Sequence, residues 1–259
     1  MILLPNQSIH LWLIDYRTVD LDDQRDNFEQ WLSDDEREKL ARYSRPALRD
    51  QQLITRAGVR AALSEYSDSV QPVHWAFEIS ERGKPAVAGD GPIPELSFNL
   101  SHSGDWLALG VSVDLPIGVD LQRRDHNKPV TELAERFFSP EEAQTLLDLP
   151  AERQEAYFFQ LWTLKEAYLK ARGLGIAEGL DKACFDIDNN GLITASFDPV
   201  LNEAPDEWQF HYFELDDDYC LSVALKQPAA QDASPLIYKL VPGGPVSALE
   251  RVGHQIQVR

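Results

Sequence analysis

The 259-residue chain states the same order of elements twice, and that repeat constrains its fold more than any single motif. A strand ending in a polar turn, Leu11-Trp12-Leu13-Ile14-Asp15-Tyr16-Arg17, returns as Ile117-Gly118-Val119-Asp120-Leu121-Gln122-Arg123. A short amphipathic helix follows each (around Phe28 to Leu32, and Leu133 to Phe138). A second helix is then opened by a capping box, Ser33-Asp34-Asp35-Glu36 in one case and Ser139-Pro140-Glu141-Glu142 in the other. Both place Ser at the N-cap and Glu three residues on, and Pro140 sits where its missing N–H costs nothing. A longer helix is predicted next, at about 47–66 and 152–171. Strands close each half: 75–79, 96–100 and 107–111 in the first, and 184–188, 208–213 and 219–225 in the second, with a turn at Asn189-Asn190-Gly191. Asp15 and Asp120 stand 105 residues apart and Ser33 and Ser139 stand 106 apart.

The pattern predicts an α+β fold of two duplicated halves, residues 1–115 and 116–226, packed about a pseudo-twofold axis. Each half should hold a small, mostly antiparallel sheet packed with helices. Ligand sites are expected at the seam, and residues unique to one half are the candidates for chemistry. Residues 227–259 carry Pro and Gly without a clear period and read as a tail.

Forty-three acidic against 24 basic residues leave a formal charge of −19. Such a surface repels nucleic acid and anionic membranes, so neither is expected as a partner. An apolar content of 43% with six Trp supplies ample core. Cys184 and Cys220 form no disulfide framework and show no metal spacing, which fits a reducing compartment. Met1-Ile2-Leu3-Leu4-Pro5 has no basic leader pattern, and no apolar run is long enough to span a bilayer. A soluble, cytoplasmic protein is the expectation.

Three stretches carry chemistry. In Trp162-Thr163-Leu164-Lys165-Glu166-Ala167-Tyr168-Leu169-Lys170, helical spacing aligns Trp162, Glu166 and Lys170 on one face with Lys165 off to the side. The preceding Ala156, Tyr157, Phe158, Phe159 and Leu161 make this helix too apolar to be a solvated one. A carboxylate and amines emerging from a buried helix suit a cation or a phosphate; a surface Glu–Lys pair is the plainer alternative. In Phe98-Asn99-Leu100-Ser101-His102-Ser103-Gly104, a strand runs into a polar turn whose Ser, His and backbone N–H groups suit a phosphate. No G-x-S-x-G elbow surrounds Ser101. In Gly118-Val119-Asp120-Leu121-Gln122, Asp120 and Gln122 point to one side of a strand. They could share a hard cation such as Mg²⁺, with Glu166 as the next oxygen ligand.

In this order, Asn99-Leu100-Ser101-His102-Ser103, Gly118-Val119-Asp120-Leu121, Phe137-Phe138-Ser139 and Trp162-x-x-Lys165-Glu166-Ala167-x-x-Lys170 resemble the Sfp-like 4′-phosphopantetheinyl transferases. The resemblance runs from about residue 10 to residue 225. It implies an enzyme that uses coenzyme A and Mg²⁺ to place the phosphopantetheine arm on a serine of an apo acyl or peptidyl carrier protein, releasing adenosine 3′,5′-bisphosphate. It implies that Asp120 and Glu166 hold Mg²⁺, with Gln122 beside them, and that Glu166 is also the base toward the carrier serine. Lys170 would touch the pyrophosphate, accompanied by Lys165. Ser101 and His102 would meet phosphates of the nucleotide end, and Lys84 would lie beside the adenine. Arg37, Lys39, Arg42, Arg49 and Arg56 would form a basic rim for the 3′-phosphate. Many family members have Glu where this chain has Gln122, so the metal is expected to bind more weakly here.

Phosphoryl transfer needs placement and charge neutralisation more than covalent help, and these residue types supply both. An acidic nucleotide-binding scaffold or a Mg²⁺-dependent nucleotide hydrolase are the alternatives. The scaffold would not explain why acids and amines concentrate in one half. The hydrolase would release the bisphosphate without a carrier. Carrier helices are commonly acidic, so the docking face should be locally basic or apolar. A monomer is expected, because the two halves already supply the interface a half-length relative would make by dimerising.

Overall fold

The computed structural model describes all residues except 1, 3, 5–7, 81–82, 90–91, 94, 176–178, 189–190, 217, 229–233, 253–254 and 258–259. The turn expected at Asn189-Asn190 lies outside the described residues. The first half runs β1 (His10–Asp15), α1 (Leu21–Trp31), α2 (Asp34–Ala41), α3 (Pro46–Ser64), β2 (Phe77–Ile79), β3 (Pro85–Val87), β4 (Leu96–Ser103) and β5 (Trp106–Val113). The second repeats it as β6 (Ile117–Arg123), α4 (Val130–Phe137), α5 (Pro140–Asp148), α6 (Ala151–Arg172), β7 (Ala183–Ile187), β8 (Ile193–Phe197), β9 (Trp208–Leu215) and β10 (Tyr219–Lys226). Strand β8, which the sequence reading passed over, is the counterpart of β3.

Both capping boxes form. The Glu36 N–H donates to Ser33 Oγ at 3.3 Å and the Glu36 carboxylate accepts the Ser33 N–H at 3.0 Å; the Ser139–Glu142 distances are 3.2 and 3.1 Å. Each capping glutamate also takes a buried cation from the long helix of its half. Arg60 on α3 reaches Glu36 at 2.6 Å, and Lys165 on α6 reaches Glu142 at 2.7 Å. The duplication thus extends to side-chain partners, not only to element order.

Three strands of each half pair antiparallel, β4-β5-β1 and β9-β10-β6. Residues 227–259, expected as a tail, instead supply β11 (Leu236–Leu240), β12 (Val246–Val252) and β13 (Gln255–Gln257). β11 lies parallel to β1 and β13 parallel to β9, with β12 between them, which joins the halves into one nine-stranded sheet. The physical reason is edge satisfaction: β1 and β9 would otherwise present unpaired N–H and C=O groups.

The sheet curls until its two end strands, β4 and β6, lie side by side. No ladder joins them. Side chains substitute for it: Asn99 Oδ1 accepts the Val119 N–H at 2.8 Å and Ser103 Oγ accepts the Arg123 N–H at 2.9 Å. Leu11, Leu13, Ala108, Val119, Leu121, Phe213, Leu221 and Val223 pack inside the curl. Outside it, α3 covers Trp12, Ile14, Leu107 and Leu109, and α6 packs on β9 and β10. With both faces covered, β1 is buried along its whole length rather than alternating.

One close approach sets the site. A Cβ on Gly118 would lie 1.9 Å from the Ala167 carbonyl oxygen and 2.4 Å from the Ala171 nitrogen. Only glycine lets the backbone of β6 rest against α6, and that contact brings strand and helix carboxylates into one space. Among the described residues, no helix is long and apolar enough to cross a membrane.

Candidate active site

The open seam between β4 and β6, roofed by α6, forms a cleft of about 340 Å³. Leu100, Ser101 and His102 line it from β4, Asp120 and Gln122 from β6, and Trp162, Glu166 and Lys170 from α6. The three stretches singled out in the sequence therefore converge. Trp162 is held as one wall by stacking on Phe158 at 5.5 Å and an edge contact with Phe137 at 5.9 Å.

Asp120, 1% exposed, is the hub. Lys170 Nζ donates to Asp120 Oδ1 at 2.6 Å, to Ser101 Oγ at 3.0 Å and to the Val119 carbonyl at 3.1 Å. Ser101 Oγ donates to Asp120 Oδ1 at 3.1 Å and Gln122 Nε2 donates to Asp120 Oδ2 at 3.2 Å. Every donor position of Lys170 is used, so the amine neutralises Asp120 in the ligand-free protein.

Glu166 contrasts with it. Its Oε1 is buried without a hydrogen-bond partner. Burial first, and the Asp120 charge second, push its carboxyl up to about 7 from 4.5, with Lys170 opposing. A buried acceptor left empty is costly and calls for an explanation; here it belongs to a side chain that lines the cleft with a second carboxylate. His102 sits at the exposed rim of the cleft, its pKa lowered by desolvation and then by the Lys170 charge.

Two carboxylates and an amide form an all-oxygen donor set, the kind that suits Mg²⁺. Among the described residues no group of three or more His, Cys, Asp or Glu is arranged to hold a metal. An ion held here would have at most the two carboxylates and would need to complete its shell from Gln122, water and a ligand's own oxygens.

Leu100 is shared with a larger cavity of about 800 Å³, walled by α2, α3 and the β2–β3 hairpin. Trp31, Trp75, Phe77 and Phe98 make it aromatic; it carries the cations Lys39, Arg56 and Arg60 and the acids Asp35 and Glu36, with Glu36 paired to Arg60 at 2.6 Å and 3.8 Å from Arg56. Arg60 was not foreseen. It is 2% exposed, stacks over Phe77 at 4.8 Å and leaves Nε without a partner. The repeat held the signal, since Arg60 and Lys165 stand 105 residues apart, as Asp15 and Asp120 do.

The remaining candidates lie elsewhere. Arg37 donates to the Glu29 and Leu32 carbonyls and to Asp34. Arg49 donates to the Tyr43 carbonyl at 2.8 Å and Arg42 approaches Glu38 at 4.0 Å. None of the three lines the cleft or the larger cavity. Lys165 is fully buried, bound to Glu142 and to the Leu180 and Ala183 carbonyls, and does not join the cleft. Burial pulls its pKa down, against the pull of Glu142. Lys84 also faces away from the larger cavity, into a separate hollow of about 480 Å³. Its Nζ donates to the Lys170 carbonyl at 3.0 Å and to the Ile117 and Ala171 carbonyls at 3.3 Å each.

Residues 116–224 match the sequence profile of the 4′-phosphopantetheinyl transferase superfamily, and residues 22–114 match that of the N-terminal region of a 4′-phosphopantetheinyl transferase. The chain is similar to 4′-phosphopantetheinyl transferase psf-1 of Bacillus pumilus, 43% identical over 157 residues, which cover 60% of this chain and 63% of the relative. It is also similar to 4′-phosphopantetheinyl transferase HetI of Nostoc sp., 34% identical over 206 residues, 79% of this chain and 86% of the relative. A holo-(acyl-carrier-protein) synthase from Bacillus anthracis, solved in complex with CoA (3′,5′-ADP), superposes with a TM-score of 0.38 at 16% identity, over 44% of this chain and 98% of that one. With profiles matched across both halves and a relative covered over most of its length, the chain belongs to the 4′-phosphopantetheinyl transferase superfamily.

Proposed function

We propose that the chain transfers the 4′-phosphopantetheine arm of coenzyme A to a serine of an apo acyl or peptidyl carrier protein, releasing adenosine 3′,5′-bisphosphate. The observation that carries this reading is the placement of Asp120, the unpartnered Glu166 and Lys170 in one cleft that shares Leu100 with an aromatic cavity carrying Lys39, Arg56 and Arg60. The cavity's size and lining suit the adenosine end, with Lys39, Arg56 and Arg60 near the 3′-phosphate. The pyrophosphate then reaches the cleft past Leu100.

Asp120 and Glu166, with the Gln122 amide, would hold Mg²⁺. When bound, that ion neutralises pyrophosphate charge and stabilises the leaving bisphosphate. Lys170 exchanges its Asp120 partner for a pyrophosphate oxygen. Ser101 and His102 donate to phosphate oxygens at the rim. Glu166 takes the proton of the incoming serine hydroxyl as general base. Residues 1–115 would supply the nucleotide cavity and 116–226 the catalytic residues, in a cytoplasmic monomer. Light scattering giving twice the 29.3 kDa chain mass would refute the last point.

Mass spectrometry of a panel of apo carriers, incubated with the protein, coenzyme A and Mg²⁺, tests the function. At least one carrier should gain the mass of the arm. Bisphosphate released from coenzyme A without a carrier would instead mark a hydrolase, and binding without either product a scaffold.

A further inference from the structure

Lys84 stands on the turn of the β2–β3 hairpin, after Gly83 at φ +84°. Its own backbone is fixed to that turn: the Lys84 N–H donates to Ser80 Oγ at 3.0 Å, and its carbonyl accepts the Ser80 N–H at 2.9 Å. From this anchored position the side chain leaves its own half of the molecule. It ends on the Lys170 and Ala171 carbonyls, in the last turn of α6, and on the Ile117 carbonyl at the start of β6.

The carbonyls at a helix C-terminus have no partner within the helix and carry the negative end of its dipole. At α6 the Leu174 N–H returns to the Leu169 carbonyl at 2.8 Å and the Gly173 N–H to the Lys170 carbonyl at 3.1 Å, with Gly173 at φ +66°. That cap leaves the Ala171 carbonyl and the second lone pair of the Lys170 carbonyl to the Lys84 ammonium. The turn so capped is the one that rests on Gly118 and projects the Lys170 side chain toward Asp120 and Ser101. The same hairpin gives Ile79 and the two neighbours of Lys84, Gly83 and Pro85, to the wall of the larger cavity.

We infer that Lys84 is a positioning residue: its ammonium ties the cavity-walling hairpin to the carbonyl end of α6 and so sets the turn from which Lys170 works. It acts through Lys170: its ammonium points away from the larger cavity, onto the Ile117, Lys170 and Ala171 carbonyls. Filling the larger cavity steadies the hairpin, the hairpin holds the end of α6, and the lysine that must meet the pyrophosphate is placed in advance. The consequence for transfer rests on the function proposed above; the consequence for α6 does not.

Lys84→Met keeps the apolar stem and removes the charge and donors, and Lys84→Arg keeps both. Three readouts separate the possibilities: hydrogen exchange of amides 169–174 in the ligand-free protein, the Kd for adenosine 3′,5′-bisphosphate, and kcat and KM for coenzyme A. In Lys84→Met, exchange at the end of α6 should rise about fivefold, as loss of a cation at a helix C-terminus allows. The kcat should fall by about tenfold while the bisphosphate Kd stays within about twofold. In Lys84→Met/Lys170→Met, kcat should equal that of Lys170→Met alone, because residues acting through one another are not additive. Lys84→Arg should restore both exchange and kcat. Should Lys84→Met not yield folded protein, Lys84→Gln gives the same comparison. Unchanged exchange at 169–174 overturns the inference, as does a tenfold weaker bisphosphate Kd with kcat intact, which would make Lys84 a direct nucleotide contact. A wild-type protein that transfers nothing would sink the proposed function and leave the exchange result to decide this one.

Discussion

Glu166→Gln should give a protein that is more stable and inactive, and the gain should depend on pH. The wild-type carboxyl is raised from 4.5 to about 7, chiefly by burial and then by Asp120. A tenfold change in proton affinity is worth about 1.4 kcal/mol, so holding Glu166 ionised costs the ligand-free protein about 3 kcal/mol. The residue is only 8% exposed, so solvent screening takes little from that figure. Between pH 4.5 and about 7 the folded protein holds a proton that the unfolded chain has released. Stability therefore falls as pH rises through that window, and the full cost is present above it. Glutamine has the shape of the protonated acid and no charge at any pH. The variant should match wild type near pH 4.5 and exceed it at pH 8 by up to about 3 kcal/mol, or about 6–12 °C in Tm for a chain of this size. Transfer should drop by at least about a hundredfold, as expected for loss of a general base. Mg²⁺ at pH 8 should raise the Tm of wild type and leave the variant unmoved. Thermal unfolding of both proteins from pH 4.5 to 8, with and without Mg²⁺, is the assay. A Tm difference that is the same at every pH, or a variant less stable at pH 8, would refute the reasoning.

Gln122→Glu replaces an N–H donor to Asp120 Oδ2 by a like charge, so the metal-free protein should lose stability while Mg²⁺ binds more tightly. A carboxylate about 4 Å from a divalent ion is worth about 2 kcal/mol even at the bulk-water limit, which supports a half-saturating concentration lowered by at least about tenfold after the lost Gln122 donor is allowed for; calorimetric Mg²⁺ titrations with and without coenzyme A would show it, and coincident curves would place residue 122 outside the metal's reach. Lys165→Met strands the Glu142 carboxylate and should cost about 3–5 kcal/mol, partly regained in Glu142→Gln/Lys165→Met, with the KM for coenzyme A unchanged in both. A raised KM would return Lys165 to the phosphates.

The elements that were legible in the sequence are those whose reasons are local. Ser33 and Ser139 announce their helices because the capping partner is three residues away. Asp120, Glu166 and Lys170 could be placed because strand and helix periods fix which way each side chain points. Lys165, one residue from Glu166, lies about 100° around the helix from it, and that turn takes it into the core. Arg37, Arg42 and Arg49 looked like a phosphate rim because a count of basic residues cannot see the main-chain carbonyls and neighbouring acids that occupy Arg37 and Arg49 and draw in Arg42 once the loops form. Arg60 escaped for the opposite reason: it lies on the most apolar stretch of its helix, and its partner, Glu36, is 24 residues back. Strands β11 and β13 were illegible because their value lies in edges they did not create: β11 pairs with a strand more than 200 residues earlier, and no period within the segment records that.

Those late strands bear on why the duplicated chain has one such seam and not two. The pseudo-twofold mate of the β4–β6 seam is the approach of β9 to β1, and there β11, β12 and β13 fill the gap with continuous pairing. The aspartate matching Asp120 is also spent. Asp15 Oδ1 and Oδ2 both accept from the Arg17 guanidinium at 2.8 Å, where Asp120 has the neutral Gln122 two residues on. A cation fixed on Asp15 by its own chain leaves no charge for a metal, and a closed ladder leaves no cleft for a pyrophosphate. The open seam keeps both, because its strands are bridged by Asn99 and Ser103 side chains and its aspartate is held by a lysine, a serine and the Gln122 amide, partners that could be exchanged for a ligand. Asymmetry laid over the repeat, in one residue beside each aspartate and in three strands at one seam, confines the chemistry to a single face of the molecule.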